Sequence, residues 1–353
     1  MSNFKDLLAQ YDYPLTKEMI ALQPAVPRDS SKLLAYNRAE DKTSFHRFSD
    51  IGNHLPQGSV LVFNETKVIP ARIYGHIATG GMVEVLCTTI GQNNTFQAII
   101  NRNLYVGATV RINDDATLAV VGKHESTYTL MLTGTKTIQE LLSSEGTTPL
   151  PPYLKHSPLN EKRRRERYQS VFAKNPGSIA APTASLHFTK ELLDQLEKQF
   201  EFAYVTLHVG LGTFAPLTEK HIASGQLHEE QYEITPENAA IIEKAKREGR
   251  AVVAVGTTAL RTLESAADES GIPAKLSGPT TLFIRPGHSH SGHGEPYHFT
   301  CATGLVTNFH VPRSSLMMLV AAMTGRKKLL ELYAEAASRG FRFLSFGDAM
   351  LII

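Results

Sequence analysis

Between residues 71 and 149 the chain carries almost no helix signal, and that limits the folds open to it. Short runs rich in Val, Ile and Thr recur there, at 82–86, 96–100, 108–112, 117–121 and 128–132, separated by Gly, Asn and Asp turns. β-branched side chains lose χ1 freedom in a helix and fit a pleated surface. Each run therefore reads as a strand, and Asn113-Asp114-Asp115 as a turn between two of them. Short strands at this spacing close into a small barrel. We expect an inserted β-barrel domain at 71–149, with 1–70 and 150–353 forming one discontinuous α/β domain.

The flanking sequence has another texture. Pro14, Pro24 and Pro27 break any long early helix, Leu33 to Tyr36 reads as a short strand, and the apolar run Val60 to Phe63 as a buried one. Pro149, Pro151 and Pro152 keep 146–153 irregular. Helices and strands then alternate. Thr189 caps a helix, and Phe202 to Val209 is a strand. Thr235-Pro236-Glu237 starts a helix that Gly249 stops. Ala251 to Val255 and Leu305 to Thr307 are further strands. One helix opens at Pro312 and runs through Met323, and another spans Lys327 to Arg339 and ends at Gly340. This is α/β organisation around a mostly parallel sheet.

Composition bounds the functional classes. A hydrophobic fraction of 42% supports a sizeable core, and a net charge of +2 neither requires nor excludes a nucleic-acid partner. Cys87 and Cys301 stand far apart without metal-ligand spacing, so two reduced thiols are expected. No apolar run is long enough to span a bilayer, and the N-terminus lacks the apolar stretch of a signal peptide, so the cytoplasm is the expected compartment and no membrane is involved.

Chemistry is expected where strands end. Val255-Gly256-Thr257-Thr258 leads from a buried strand into a helix, whose free N–H groups suit a phosphate or carboxylate, with Arg261 one turn in. Thr206 to Phe214 leaves a strand through Gly210 and Gly212, which allow close backbone approach, and carries His208 as an acid–base candidate. His187 and the run Asn308-Phe309-His310 add polar groups at other element ends. We expect His208, Thr257, Thr258, Arg261, Asn308 and His310 to surround one pocket. The bland alternative packs the histidines between helices and leaves the threonines as caps. His228-Glu229-Glu230 reads as a loop. The run 161–168 contains Arg163, Arg164, Arg165 and Arg167; it is read first as a solvated helix and second as a phosphate-contacting patch. His288, His290, His293 and His298 lie among Gly and Ser and read as a surface loop rather than a metal site. There is no GxGxxG, HExxH, Walker or GxSxG motif, so a nicotinamide cofactor, catalytic zinc, ATP hydrolysis and an ordinary hydrolase elbow are not inferred.

Taken in order, several stretches resemble the S-adenosylmethionine:tRNA ribosyltransferase-isomerase family of queuosine biosynthesis. They are Val62 to Arg72, Gly146 to Tyr153, Glu166 to Gln169 and Ala180 to Thr189. Further along come Thr206 to Phe214, Val255 to Thr258, Arg261 to Glu264, Thr307 to His310 and Ser345 to Met350. The resemblance implies an α/β domain interrupted by a β-barrel. It implies transfer and isomerisation of the ribosyl part of S-adenosylmethionine onto 7-aminomethyl-7-deazaguanine in tRNA, giving epoxyqueuosine and releasing adenine and methionine. S-adenosylmethionine is then a co-substrate, and neither a cofactor nor a metal is required. On this basis His187, His208 and His310 are the catalytic candidates. Lys67, Gly210, Gly212, Thr257, Thr258, Arg261 and Asn308 are the substrate-binding ones, and Arg163, Arg164, Arg165 and Arg167 face tRNA. A monomer is expected. The sequence departs from the family pattern at Ala215, Leu227, Pro279, Thr281 and Thr303. The alternative is a diverged relative that binds RNA or a nucleoside without the transfer.

Overall fold

The computed structural model describes residues 4–210, 212, 216–289, 292–293 and 297–353. The chain opens with α1 (Phe4–Ala9), β1 (Lys32–Asn37), β2 (Lys42–Arg47), β3 (Val60–Asn64) and β4 (Thr66–Val68). It continues through β5 (Arg72–Ile77), β6 (Met82–Ile90), β7 (Thr95–Ile100), β8 (Thr109–Arg111), β9 (Ala116–His124), β10 (Thr127–Gly134) and α2 (Ile138–Glu145). Next come α3 (Glu161–Arg167), β11 (Asn175–Ser178), α4 (Lys190–Leu196), β12 (Glu201–Leu207), α5 (Glu219–Ser224), β13 (Gln226–Ile234) and α6 (Pro236–Arg247). After β14 (Val252–Val255), α7 (Thr257–Ala266) and β15 (Ser277–Leu282) come β16 (His288–Ser289), β17 (Gly292–His293) and β18 (Gly304–Asn308). The chain ends with α8 (Ser315–Thr324), α9 (Arg326–Ser338) and β19 (Ala349–Ile352).

Strands β5 to β10 close into a barrel in the order β10-β7-β6-β5-β8-β9. Alternate residues fill it: Ile73, Val83, Val85, Ala98, Val110, Leu118, Val120 and Leu130 are all buried. Helix α2 adds Ile138, Leu141 and Leu142 to the same core. Its start is fixed by a reciprocal cap, in which the Thr137 hydroxyl accepts from the Glu140 N–H and the Glu140 carboxylate accepts from the Thr137 N–H. Gly75 is required for closure, because a Cβ there would stand 2.7 Å from the Arg111 carbonyl oxygen of the neighbouring strand.

The body is built on a nine-stranded sheet in the order β15-β13-β12-β3-β14-β18-β19-β1-β2. Parallel pairing holds its centre, from β12 through β3 and β14 to β18, and recurs between β19 and β1. The remaining pairings are antiparallel, so the sheet is mixed around a parallel middle. Its central strands are buried on both faces, which explains their unbroken apolar runs. Val60, Val62, Val252, Ala254 and Leu305 face one core with residues of α6 to α9, while Leu61, Phe63, Val253, Val255 and Val306 face another with α4.

Several boundaries and element types differ from the sequence expectation: α2 falls within the stretch read as almost without helix, β12 ends at Leu207 rather than Val209, and His288–Ser289 pairs with Gly292–His293 in the stretch read as a loop. Helix α8 starts at Ser315 rather than Pro312, because Arg313 takes a left-handed φ of 60° and the Ser314 hydroxyl then caps the helix. His228-Glu229-Glu230 lies within β13 and not in a loop. Its pattern was masked by charge: Glu230, Tyr232 and Ile234 alternate inward while the residues between them face outward.

Candidate active site

The parallel strands β12, β3, β14 and β18 end along one edge of the sheet, and ligands of α/β folds bind in the crevice beyond such strand ends. A cavity of about 550 Å³ opens at that edge. Its polar lining includes Thr257, Thr258 and Arg261 after β14, Asn308 and His310 at and beyond the end of β18, and Glu230 of β13. Tyr153, Tyr168, Phe283 and Leu319 are among its apolar walls.

The charged end is an ion pair that the sequence gives only by half. Arg261 is 7% exposed; its Nη1 donates to Glu230 Oε2 and its Nε donates to the Leu282 carbonyl at 3.1 Å. The other Glu230 oxygen accepts from the Gly210 N–H at 3.1 Å. Glu230 thereby ties the glycine turn after β12 to helix α7. Arg261 Nη2, Thr258 Oγ1 and Asn308 Oδ1 are buried and have no hydrogen-bond partner. Three such atoms on residues of one cavity are a departure from the rule that buried polar groups are paired, and a polar ligand is the simplest completion.

His310 sits at the same edge. One ring nitrogen, Nε2, lies 2.8 Å from Thr307 Oγ1, the backbone N–H donates to the Tyr333 hydroxyl at 3.0 Å, and the carbonyl accepts from Tyr13. Burial pushes its imidazole down to about 4, so the ring is neutral at neutral pH. His221 and His228 also line the cavity, with ring centroids 4.8 Å apart. The sequence expectation placed His228 in a loop and did not single out His221; the available signal for His228 was the inward alternation of β13, which brings it and Glu230 to one side.

Of the residues expected around one pocket, Thr257, Thr258, Arg261, Asn308 and His310 line this cavity, and so does Gly212. His208 does not. Val205, Leu207 and Val209 face the core beside the cavity, so the alternation of the strand sends His208 the other way, where its Nδ1 lies 2.8 Å from Thr66 Oγ1 and its ring packs on Gly177. Burial lowers its pKa. His187 is buried behind the cavity wall, stacked on Phe48, and Lys67 is exposed on β4. Gly210 reaches the site only through its N–H to Glu230.

The arginine run divides. Helix α3 ends at Tyr168, itself part of the cavity wall. Arg165 donates to the Glu161 carboxylate and to the Gly146 and Ser143 carbonyls, and Arg164 donates to the Ser157 carbonyl, so both fasten the segment returning from the barrel. Arg163 and Arg167 form no ion pair among the described residues. Arg28 donates to the Glu166, Arg167 and Gln169 carbonyls and so satisfies the C-terminal end of α3.

The departures from the family pattern fall mostly away from the cavity. Thr303 precedes β18 and exchanges hydrogen bonds with Val252, at the opposite end of the parallel strands. Pro279 and Thr281 lie on the edge strand β15 and do not line the cavity. Leu227 does line it. Ala215 and His290 lie outside the described residues. Among the described residues no three or more His, Cys, Asp or Glu are grouped to hold a metal ion. Cys87 and Cys301 are buried free thiols, each pushed up to about 12 by burial.

The sequence matches the queuosine biosynthesis protein family over residues 8–352. It is 45% identical to an S-adenosylmethionine:tRNA ribosyltransferase-isomerase of Gloeobacter violaceus, covering 98% of this chain and 96% of that one. It is 43% identical to the enzyme of the same name from Carboxydothermus hydrogenoformans, covering 98% of this chain and 99% of that one. The solved structure of S-adenosylmethionine tRNA ribosyltransferase from Thermotoga maritima is similar, with a TM-score of 0.54 and 32% identity over 98% of this chain and 100% of that chain. With the barrel, the mixed sheet and the cavity at its parallel strand ends, these matches establish that the chain belongs to the S-adenosylmethionine:tRNA ribosyltransferase-isomerase family of queuosine biosynthesis proteins.

Proposed function

We propose that this protein transfers and isomerises the ribosyl moiety of S-adenosylmethionine onto 7-aminomethyl-7-deazaguanine in tRNA, forming epoxyqueuosine and releasing adenine and methionine. Full-length identity to enzymes of that name supports the reaction. The observation that carries the site is the cavity with three buried, unpartnered polar atoms on Arg261, Thr258 and Asn308.

The chemistry asks for few groups. The sulfonium acidifies the adjacent 5′ carbon, and loss of that proton to a base gives an ylide that drives adenine out; the acceptor amine then attacks a ribose-derived carbon, and a ribose oxygen closes the epoxide as the C–S bond breaks and methionine leaves with its electron pair. Holding both partners in register supplies much of the rate. Arg261 Nη2 and Thr258, at the start of α7, suit the methionine carboxylate. His221, His228 and His310 are the imidazoles on the cavity available for proton transfer. The target base leaves the tRNA loop and enters the cavity. Arg163 and Arg167, on the helix that runs into the wall at Tyr168, contact tRNA phosphates. The protein works in the cytoplasm as a monomer. Among the described residues no helix is long and apolar enough to cross a membrane.

Purified protein, S-adenosylmethionine labelled in the ribose, and tRNA bearing the 7-aminomethyl precursor should yield labelled epoxyqueuosine on mass spectrometry of the digested tRNA. No product, beside an active relative as control, would refute the reaction.

A further inference from the structure

Behind the cavity wall runs a short chain of buried polar groups. Ser31 Oγ lies 2.8 Å from His187 Nδ1, His187 Nε2 lies 3.2 Å from Asn308 Nδ2, and Asn308 Nδ2 lies 3.1 Å from the Leu344 carbonyl oxygen. The direction of every bond is set by its last member. A carbonyl oxygen can only accept, so the atom facing Leu344 is the amide nitrogen of Asn308. That nitrogen spends its second hydrogen on His187 Nε2, which must then be the bare acceptor of the ring. The proton of His187 is left on Nδ1, where it donates to Ser31 Oγ. One carbonyl therefore fixes one amide orientation and one tautomer.

The consequence appears on the cavity side. Both amide hydrogens of Asn308 are committed, and its oxygen, Oδ1, is buried with no partner on a residue that lines the cavity and is 2% exposed. Val255 pairs with Val306, so Asn308, the last residue of β18, and Thr258, in the first turn of α7 just beyond β14, follow from neighbouring strands. The unpartnered atom on Arg261 is a donor, and the one on Asn308 is an acceptor. His187 itself does not line the cavity; it is stacked on Phe48 and buried.

We propose that His187 is a positioning residue, which by taking the second amide hydrogen holds the Asn308 carboxamide in the orientation that the Leu344 carbonyl selects, so that Oδ1 is a fixed hydrogen-bond acceptor for an amino or hydroxyl donor of S-adenosylmethionine. This rests on the reaction proposed above. The arrangement reads a donor on the ligand, because reversing the amide would set its oxygen against the Leu344 oxygen. Burial, reinforced by the cations Arg342 and Arg28, holds the ring neutral, down to about 3. A ring of that kind contributes geometry without titrating near neutrality.

The test compares His187→Leu, His187→Gln and Ser31→Ala with the wild-type enzyme, reading kcat and KM for both substrates across pH. His187→Leu should raise KM for S-adenosylmethionine about tenfold, the worth of one lost neutral hydrogen bond, with a smaller change in kcat and none in KM for tRNA. His187→Gln can offer its side-chain oxygen near the position of Nε2 and should recover most of the loss. Ser31→Ala loosens the tautomer and should raise the same KM a few-fold, about 2–5 times, which keeps the test intact if the leucine variant does not fold. The pH–rate profile should keep both limbs in all three. Disappearance of a limb would make His187 an acid–base catalyst, and equal loss in the leucine and glutamine variants would make it packing only; either outcome overturns the proposal. An inactive wild-type protein counts against the reaction instead, and calorimetric binding of S-adenosylmethionine then reads the same contrast among variants.

Discussion

Glu264 offers a test of how the fold delivers β18 to the cavity. The residue is 1% exposed and forms no salt bridge among the described residues. Its carboxylate accepts from the Thr300, Cys301 and Ala302 N–H groups at 2.9, 3.1 and 2.9 Å, and from the Thr300 hydroxyl at 3.2 Å. Lys246 Nζ donates to the Thr300 and Cys301 carbonyls at 2.7 and 3.3 Å. The anion holds the donors of this turn and the cation its acceptors, just before the strand that ends in Asn308. Glu264→Gln keeps the shape but turns one acceptor oxygen into an NH₂ group facing an N–H. A buried donor without a partner costs about 1–3 kcal/mol, and the remaining bonds lose their charge assistance, roughly half their strength. The sum is about 2–4 kcal/mol, which for a body of this size lowers the melting temperature by roughly 4–8 °C. Scanning calorimetry with far-ultraviolet circular dichroism reads it, and any separate barrel transition should stay in place, because no barrel residue contacts this carboxylate. A Glu264→Gln protein melting within about 1 °C of wild type would show that the clasp is not what orders the turn.

Two further outcomes concern the buried imidazoles and α3. His310 and His187 are held neutral in the fold, down to about 4 and about 3, while the unfolded chain protonates near about 6.5. The unfolded state thus binds more protons between those values, so stability is full above about pH 6.5 and falls as pH drops through the folded pKa values, by up to about 1.4 kcal/mol per pH unit per ring. Urea titrations across that window should give a shallower loss for His310→Gln than for wild type, and identical slopes would mean the ring is not kept neutral. On α3, reversing Arg163 and Arg167 to Glu should weaken tRNA binding and lower its salt slope by about 1–2, leaving the affinity for S-adenosylmethionine unchanged. Arg165→Glu should instead lower the melting temperature, since it removes the donor to the Gly146 and Ser143 carbonyls. Unchanged tRNA affinity at every salt concentration would take this helix out of the interface.

Local pattern is the part of the molecule that was legible in the sequence. The barrel strands alternate between a filled interior and solvent, and the central body strands are apolar throughout because both faces are covered. Caps at Thr189 and Thr235 act within three residues of themselves and could be read directly. The cavity was partly legible for the same reason: Thr257, Thr258, Asn308 and His310 all come just after apolar strands, and a parallel strand delivers the residues beyond its end to one edge of the sheet. Partnership across the chain could not be read. Arg261 announces a cation, but nothing near it announces Glu230, which sits on a strand whose alternation is dressed in charge. His208 illustrates the limit from the other side. A one-residue step along a strand reverses the face, so two residues of the same segment, His208 and Val209, look toward different parts of the molecule. Proximity in sequence to a glycine-rich turn therefore carries little weight against strand parity. The same parity links Thr307 and Asn308: the hydroxyl meets His310 and the amide meets His187, so adjacent residues of one strand engage imidazoles on opposite sides of the sheet end. A site laid along a sheet edge draws on both faces, and sequence order alone does not say which face a residue serves.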